Sequence, residues 1–204
     1  MVKFFCLIIG YIIGSIPFAV LVSRLAKGIN ITEVGTKNPG AANVLREVGK
    51  PWGILVWLLD SVKGVIAMLI AAQILTGKWI IVRETLPAYS FFIGLTGLSA
   101  FCGHCWPVFL KFKGGKGVST SGGIFLYLIP KIFPIAIATY FIVQRKPREP
   151  WVITTAFGVV FGLIVWIYWC QRVWLIPWLI IFLIIAVIAN LSTIKEMRAK
   201  RKVL

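Results

Sequence analysis

Blocks of apolar residues, most of them about 20 residues long, recur along this sequence, and an α-helix of that length crosses a hydrocarbon layer about 30 Å thick. The alternation of apolar and polar residues that membrane β-strands require is absent. Hydrophobic residues make up 59% of the chain, well above the share in a soluble domain. The blocks therefore predict an all-α integral membrane protein.

The predicted spans are residues 4–25, 52–76, 86–106, 151–170 and 174–193, together with a longer stretch, 117–144, that is interrupted near Pro130, Lys131 and Pro134. The interrupted stretch is either one kinked helix or two short helices, which gives six or seven spans. Basic residues collect in cytoplasmic loops. Six spans would place the basic cluster 145–148 and the basic tail on opposite sides of the membrane, so seven spans is the better interpretation.

We therefore predict a single transmembrane domain, residues 1–204, with about seven spans, the N-terminus outside and the C-terminus in the cytoplasm. The cytoplasmic segments are then the loops 27–51, 107–117 and 145–150 and the basic tail 195–204. A cleaved signal peptide is the alternative for residues 1–20. The apolar run continues to Leu25 without a small-residue cleavage site, which favours a retained helix.

The formal net charge of +16 would suit nucleic acid, but the basic residues are confined to loops that flank predicted spans. Anionic lipid headgroups and small anionic substrates are therefore the expected partners, and nucleic acid is not. Cys102, His104 and Cys105 could suggest zinc. Positions i, i+2 and i+3 do not converge on one helix face and a fourth ligand is not evident, so no metal site is predicted.

Residues 27–51, here called the first loop, are long for a connection between neighbouring spans. Asn38 is a favourable N-cap and Pro39 suits the first helical position. Gly49 suits a left-handed stop, so the pattern predicts a short helix over residues 39–48. The start of a helix presents N–H groups and a positive dipole end that bind phosphate or carboxylate. The alternative is an interfacial helix that only closes the bundle.

Residues 107–117, here called the glycine loop, contain the run FKGGKG. Its backbone N–H groups could wrap an anion, with Lys113 and Lys116 beside them. The spacing is not that of a Walker A motif. The alternative is a cationic flank that only orients a membrane helix. Two candidate anion sites on one side of the membrane favour a phosphorylated substrate.

Polar residues also occur inside the spans. Asp60 and Lys63 lie one helical turn apart and are predicted to form a structural ion pair. His104, the one histidine of the chain, lies near the cytoplasmic end of its span, where it could donate a hydrogen bond or carry a proton near a phosphate. Gly10 and Gly14 form a G-x-x-x-G pair, which predicts close helix packing.

Three segments of this sequence resemble the signature regions of a known family: 14–50, beginning GSIPF; 58–64, LLDSVKG; and 103–120, GHCWPVFLKFKGGKGVST. Their order and spacing are similar to those of the bacterial acyl-phosphate:glycerol-3-phosphate acyltransferases, the PlsY type. The resemblance covers roughly the first 120 residues. It implies a seven-span enzyme of the bacterial inner membrane that needs no metal or cofactor, with its active site facing the cytoplasm.

The resemblance also implies a reaction in phospholipid biosynthesis. The sn-1 hydroxyl of glycerol 3-phosphate attacks the carbonyl of a fatty acyl phosphate, and lysophosphatidic acid and phosphate are formed. The expected partners are these two substrates, membrane lipids and a soluble enzyme that produces acyl phosphate. By motif position, the implied catalytic residues are Thr36, Arg46, His104 and Lys116. The implied phosphate-binding residues are Thr36, Asn38, Gly40, Asn43, Arg46, Lys113, Gly114, Gly115, Lys116 and Gly117.

Several positions depart from the family pattern. Thr36 stands where the family has serine, Lys37 where it has glycine and Ala42 where it has threonine. The family's Arg-His-x-x-Asn-Ile pattern is not found near the C-terminus. Two alternatives therefore remain: a related acyltransferase with another acyl acceptor, and a membrane transporter or binding protein for phosphorylated metabolites. A transporter is expected to show repeated halves with broken helices, and the sequence shows no such repeat.

Overall fold

The computed structural model describes residues 1–79, 90–128, 130, 176–189 and 191. Regular structure in those segments is entirely helical, without a β-strand. In the same part of the chain, three helices are long and apolar enough to cross a membrane: Val2–Lys27, Lys50–Thr76 and Phe91–Leu110. The predicted all-α fold is thus confirmed, and the count of seven spans stays a prediction.

In chain order the helices are α1 (Val2–Ser15), α2 (Phe18–Lys27), α3 (Ala41–Glu47), α4 (Lys50–Thr76), α5 (Ser90–Cys105), a 3-10 turn (Val108–Leu110), α6 (Val118–Leu128) and α7 (Ile176–Ala189). The chain divides into two compact units, Met1–Leu128 and Ile129–Leu204. The second unit contains the apolar helix α7, within the predicted span 174–193. The predicted span 151–170 lies outside the described residues, and the single transmembrane domain stays a prediction.

The first predicted span is not one continuous helix. A break at Ile16 and Pro17 separates α1 from α2, with Ile16 in an extended conformation at φ −59° and ψ 117°. Proline has no N–H and disfavours helical geometry in the residue before it, so the backbone hydrogen bonds are interrupted here. The predicted span 4–25 therefore corresponds to the apolar segment Val2–Lys27, which forms two consecutive helices.

The second and third predicted spans correspond to α4 and α5. The α4 helix runs unbroken for 27 residues and ends at Gly77, which adopts the left-handed conformation at φ 69°. Its length exceeds the thickness of a hydrocarbon layer at 1.5 Å rise per residue. The α6 helix begins one residue after the glycine loop and has 11 residues, so it covers only the first part of the interrupted stretch 117–144.

Small residues bring the helices of the first unit close together. A Cβ added at Gly14 would collide with the backbone of Ala100 on α5, and one added at Gly123 on α6 would collide with the Ser61 backbone on α4. Such close approach is the role that small residues have in membrane helix pairs. The packing predicted for Gly14 is therefore observed, with α5 as the partner helix.

The short helix in the first loop starts later than predicted. α3 begins at Ala41 with Gly40 as its N-cap, so the assignment of Asn38 as N-cap was wrong by two residues. Gly49 has φ 140° and ψ 160° and caps the start of α4, so it is not a left-handed stop for α3. The apolar side of α3 joins a buried cluster with α2 and α4 that includes Val20, Val22, Val44, Val48 and Val56.

Candidate active site

A small pocket lies in the first unit where four elements meet. Residues 14–18 of the α1–α2 break form one wall, and Asp60 and Lys63 of α4 form another. His104 at the end of α5 and the residues 114–115 of the glycine loop complete the lining. Polar groups from separate helices converge in this concavity, which makes the pocket the candidate site.

Lys63 links α4 to the helix break. Its ammonium group donates a hydrogen bond to the carbonyl oxygen of Ile16, with Nζ 3.0 Å from the oxygen. The break withdraws that carbonyl from the regular helical pattern, because Val20 donates its N–H to Pro17 rather than to Ile16. Nζ also lies 5.7 Å from the centre of the Phe18 ring, within the range of a cation–π contact. The Phe18 N–H also donates to this carbonyl over 3.1 Å, so the buried lysine adds a second donor to it.

Asp60 connects Lys63 and His104. Its Oδ1 atom lies 2.8 Å from Lys63 Nζ and 3.5 Å from His104 Nδ1. All three residues are buried, with exposed fractions of 1%, 3% and 7% for Asp60, Lys63 and His104. Apart from these ionic contacts, neither carboxylate oxygen accepts a well-formed hydrogen bond from the described residues. Helical spacing predicted the ion pair, and the tertiary structure adds the imidazole.

The glycine loop folds back on the end of α5. Gly114 and Gly115 donate their N–H groups to the carbonyl oxygens of Cys105 and His104, both over 3.1 Å. A Cβ built at Gly115 would collide with Nε2 of His104. These two N–H groups therefore cap a helix C-terminus and are committed within the protein. That the glycine loop wraps an anion stays a prediction.

Other groups near the glycine loop can contact an anion. α6 begins at Val118, and the first turn of a helix has N–H groups without helical partners. Gly117 precedes that turn with φ 80°, and a Cβ there would meet the Phe101 ring. Lys116 is half-buried and Lys113 is exposed. Phosphate contact in this loop would depend on the lysine side chains and the α6 turn.

The first loop is organised by Asn43, which is buried with 1% exposed. Its Nδ2 donates to the carbonyl oxygens of Ile31 and Val34, and its Oδ1 accepts from the N–H of Thr36, each over 3.1 Å. Both amide hydrogens are therefore used by the loop itself. The arrangement gives Asn43 a role in holding the first loop, and direct phosphate binding by Asn43 stays a prediction.

The other predicted phosphate-binding residues of the first loop differ in their exposure to solvent. Thr36 and Arg46 are exposed, Asn38 is half-buried and Gly40 is buried. Pro39, for which no part in binding was predicted, lines the pocket. The structure thus brings one edge of the first loop to the pocket.

The pocket also contains features that sequence reasoning missed. The carbonyl of Ile16 and the ring of Phe18 belong to it, and both are placed by the break at Pro17. A proline inside an apolar run is the signal that could have located them, because such a residue frees backbone groups that polar side chains can satisfy. Among the described residues, no group of three or more His, Cys, Asp or Glu is arranged to hold a metal ion.

Comparisons with known proteins agree on one family. A family model described as glycerol-3-phosphate acyltransferase matches residues 4–200. A glycerol-3-phosphate acyltransferase of Anaeromyxobacter sp. strain Fw109-5 is 44% identical over 139 residues, which are 68% of this chain and 64% of that protein. One from Rubrobacter xylanophilus is 37% identical over 148 residues, 72% of this chain and 68% of the relative. This chain thus matches less than two thirds of the Anaeromyxobacter protein.

Two crystal structures are similar over nearly the whole chain. They are structures of PlsY (YgiH), an integral membrane glycerol 3-phosphate acyltransferase, in its glycerol 3-phosphate form and in its lysophosphatidic acid form. Both give a TM-score of 0.78 and cover 98% of this chain and 93% of the other, with 28% and 27% identity.

Proposed function

The chain belongs to the glycerol-3-phosphate acyltransferase family, and we propose that it transfers a fatty acyl group from acyl phosphate to the sn-1 hydroxyl of glycerol 3-phosphate. The products are lysophosphatidic acid and inorganic phosphate. One observation carries the proposal: Asp60, Lys63 and His104 meet the glycine loop and the α1–α2 break in one pocket. The similar PlsY structures in glycerol 3-phosphate and lysophosphatidic acid forms support the acceptor and the product.

The chemistry requires alignment more than activation. Acyl phosphate is a mixed anhydride with a good leaving group, so the carbonyl carbon is already electrophilic. The hydroxyl oxygen forms the new C–O bond, the bond to the phosphate oxygen breaks, and the hydroxyl proton ends on the departing phosphate. The protein must hold two anions together and stabilise the developing oxyanion. Both substrates carry phosphate, which suits a pocket next to a cationic loop.

The residues implied by the family motifs take roles consistent with their positions. We propose that Lys116 and the first turn of α6 neutralise the leaving phosphate of the acyl donor, since they follow the pocket-lining glycines. Lys113 and Arg46 are exposed, where their charges would draw anionic substrates toward the pocket. Thr36 is also exposed, and its hydroxyl could donate a hydrogen bond to a phosphate. His104 is the residue that we place at the reacting hydroxyl, because it lines the pocket and its ring can exchange hydrogen bonds with a bound group.

The same proposal places the protein in the bacterial inner membrane as a multi-pass protein with seven spans and its site facing the cytoplasm. Support comes from the long apolar helices and from the basic residues that flank the site. A soluble enzyme that makes acyl phosphate would deliver the donor from the cytoplasmic side.

The test is phosphate release by the purified protein in lipid, given palmitoyl phosphate with and without glycerol 3-phosphate. We expect release that depends on glycerol 3-phosphate and yields lysophosphatidic acid. Release that requires a different acceptor would identify a related acyltransferase. Counterflow of glycerol 3-phosphate in proteoliposomes without acyl transfer would identify a transporter and contradict the proposal.

A further inference from the structure

We propose that Lys37 is a binding residue for the phosphate of a substrate, held beside the pocket by a left-handed turn of the first loop. The ligand chemistry is a singly substituted phosphate, which glycerol 3-phosphate and acyl phosphate both present. The inference deepens the proposed acyl transfer and rests on it, and it adds a residue outside the predicted site. Its support is a strained backbone, a side chain that the fold leaves unused, and a position next to the pocket.

Lys37 adopts a backbone conformation that suits glycine. Its φ is 59°, in the left-handed region, which costs free energy for residues other than glycine, asparagine and aspartate. Within the described residues, Lys111 and Phe112 are the other non-glycine residues with a positive φ. Those two are consecutive in the glycine loop, whereas Lys37 is a single strained residue of the first loop. Backbone strain of this kind is concentrated at functional sites.

The first loop imposes this conformation. The N–H of Lys37 donates to the carbonyl of Val34 over 3.0 Å. Asn43 holds the turn from the other side, because its Nδ2 donates to the same Val34 carbonyl and its Oδ1 accepts from the N–H of Thr36. None of these contacts involves the lysine side chain. Glycine at position 37 would keep them without the strain.

The lysine side chain makes no contact in the fold that would offset this cost. It is exposed, and the described residues offer its ammonium group no hydrogen bond or ion pair. By contrast, Lys27 donates to the carbonyl of Glu47, and Lys63 donates to that of Ile16. The charge of Lys37 is therefore available for a ligand.

The position of Lys37 connects this charge to the pocket. Pro39, two residues further on, lines the pocket, and α-carbons two residues apart are separated by at most about 7 Å. The lysine side chain has a flexible four-carbon stem, so its ammonium group can reach an anion bound at this edge of the pocket. The neighbouring Thr36 is exposed as well and adds a hydroxyl donor.

Such a contact should act on binding rather than on bond making. The ammonium group would meet the phosphate equally before and during the reaction, so its removal should raise KM while kcat is nearly kept. A solvent-exposed ion pair is worth up to about 5-fold in affinity, and salt screens it.

The test compares variants of the full-length protein, reconstituted in nanodiscs of one lipid composition. Lys37→Asn removes the charge and keeps the backbone, since asparagine tolerates the left-handed region. The probes are glycerol 3-phosphate and palmitoylphosphonate, a donor analogue that cannot transfer its acyl group. We expect the Kd of at least one probe to rise about 3- to 5-fold at low salt, and the difference to vanish at about 1 M salt. The affected probe identifies the phosphate that Lys37 binds.

Two further variants are the controls. Lys37→Arg keeps the charge and should bind both probes as the unmodified protein does. Lys50→Asn removes another exposed charge of the first loop and should leave both Kd values unchanged. Unchanged affinity for both probes in Lys37→Asn overturns the proposal. An equal loss in Lys50→Asn also overturns it, because Lys37 would then act only through the general charge of the loop.

The cost of the lysine has its own measurement. Lys37→Gly removes the strain and the charge together. We expect the thermal midpoint to rise by about 2–4 °C, while the affinity falls as it does in Lys37→Asn. A midpoint that stays or falls overturns the argument from strain.

Turnover of palmitoyl phosphate separates this inference from the function on which it rests. In Lys37→Asn, KM for the affected substrate should rise with its Kd, and a loss confined to kcat overturns the binding role. If the unmodified protein binds the probes but transfers no acyl group, the proposed function fails, while the Kd values still decide the role of Lys37.

Discussion

The two polar loops that surround the pocket are held in different ways. The first loop depends on one buried side chain, because Asn43 makes hydrogen bonds to the backbone at residues 31, 34 and 36. The glycine loop is held by its own backbone, and glycine at position 115 leaves room for the His104 side chain. Its N–H groups bond to carbonyls at the end of α5, and His104 occupies the space where a Cβ at Gly115 would be.

The difference separates supporting groups from groups available to substrates. In the first loop, an amide that resembled a phosphate ligand in the sequence is used to hold the loop. In the glycine loop, the N–H groups that resembled an anion cradle cap α5. We propose that the cationic side chains of the two loops, with the first turn of α6, bind phosphate. The first loop, held by a side chain, and the glycine loop, held by its backbone, should also respond differently to substitution.

The largest effect is expected for Gly115→Ala. The new Cβ would push the imidazole of His104 out of its contact with Asp60, and such overpacking costs about 1–3 kcal/mol. We expect acyl transfer to fall about 100-fold or more, the scale of misplacing groups that align the reactants. Turnover of palmitoyl phosphate in lipid measures it. Normal turnover would mean that the glycine loop tolerates a side chain at position 115. It would contradict the inference that this loop depends on the absence of that side chain.

Lys116→Ala should reduce the rate by about 100-fold, the scale of losing a charge that acts on the transition state. The matched control is Lys111→Ala, because Lys111 belongs to the same loop and is exposed. We expect that control to change turnover much less. Equal losses in the two variants would leave the loop as a general electrostatic attractor and would contradict a specific role for Lys116.

Asn43→Ala should act on stability. It leaves the carbonyls of Ile31 and Val34 without their side-chain donor, and an unsatisfied buried group costs about 1–3 kcal/mol. The thermal midpoint and the rate of protease cleavage in the first loop report the change. Asn38→Ala is the matched control, since the backbone carbonyl of Asn38 accepts the N–H of Gly40 and alanine keeps that bond. The stability of this variant should stay near that of the parent.

The smallest effect is expected for Gly122→Ala on α6. Among the described residues, no atom beyond the neighbouring backbone of α6 lies within 4 Å of a Cβ built there. Alanine is a better helix former than glycine by up to about 1 kcal/mol. The thermal midpoint should therefore rise slightly while turnover is kept. A large loss of activity would show that glycine itself, rather than the crowding at Gly115, matters in this part of the chain.

Local signals predicted several elements well. α4 lies close to the predicted span 52–76, and α5 falls inside 86–106, because a long apolar run leaves the backbone no other way to satisfy its polar groups in a membrane. The Asp60 and Lys63 pair followed from helical spacing. The start of α3 was missed by two residues, since Asn38, Pro39 and Gly40 are all compatible with a helix start and only packing against α2 and α4 selects one.

By itself, the sequence determined an all-α membrane protein, the positions of its main helices and, through three motifs in order, its family. These properties depend on apolar length and on residues near one another in the chain. Only the tertiary structure decided that Asn43 supports a loop, that Gly114 and Gly115 cap α5, and that the carbonyl of Ile16 meets Lys63. Each depends on which groups from distant segments compete for the same hydrogen bond, and that competition is resolved only when the helices pack.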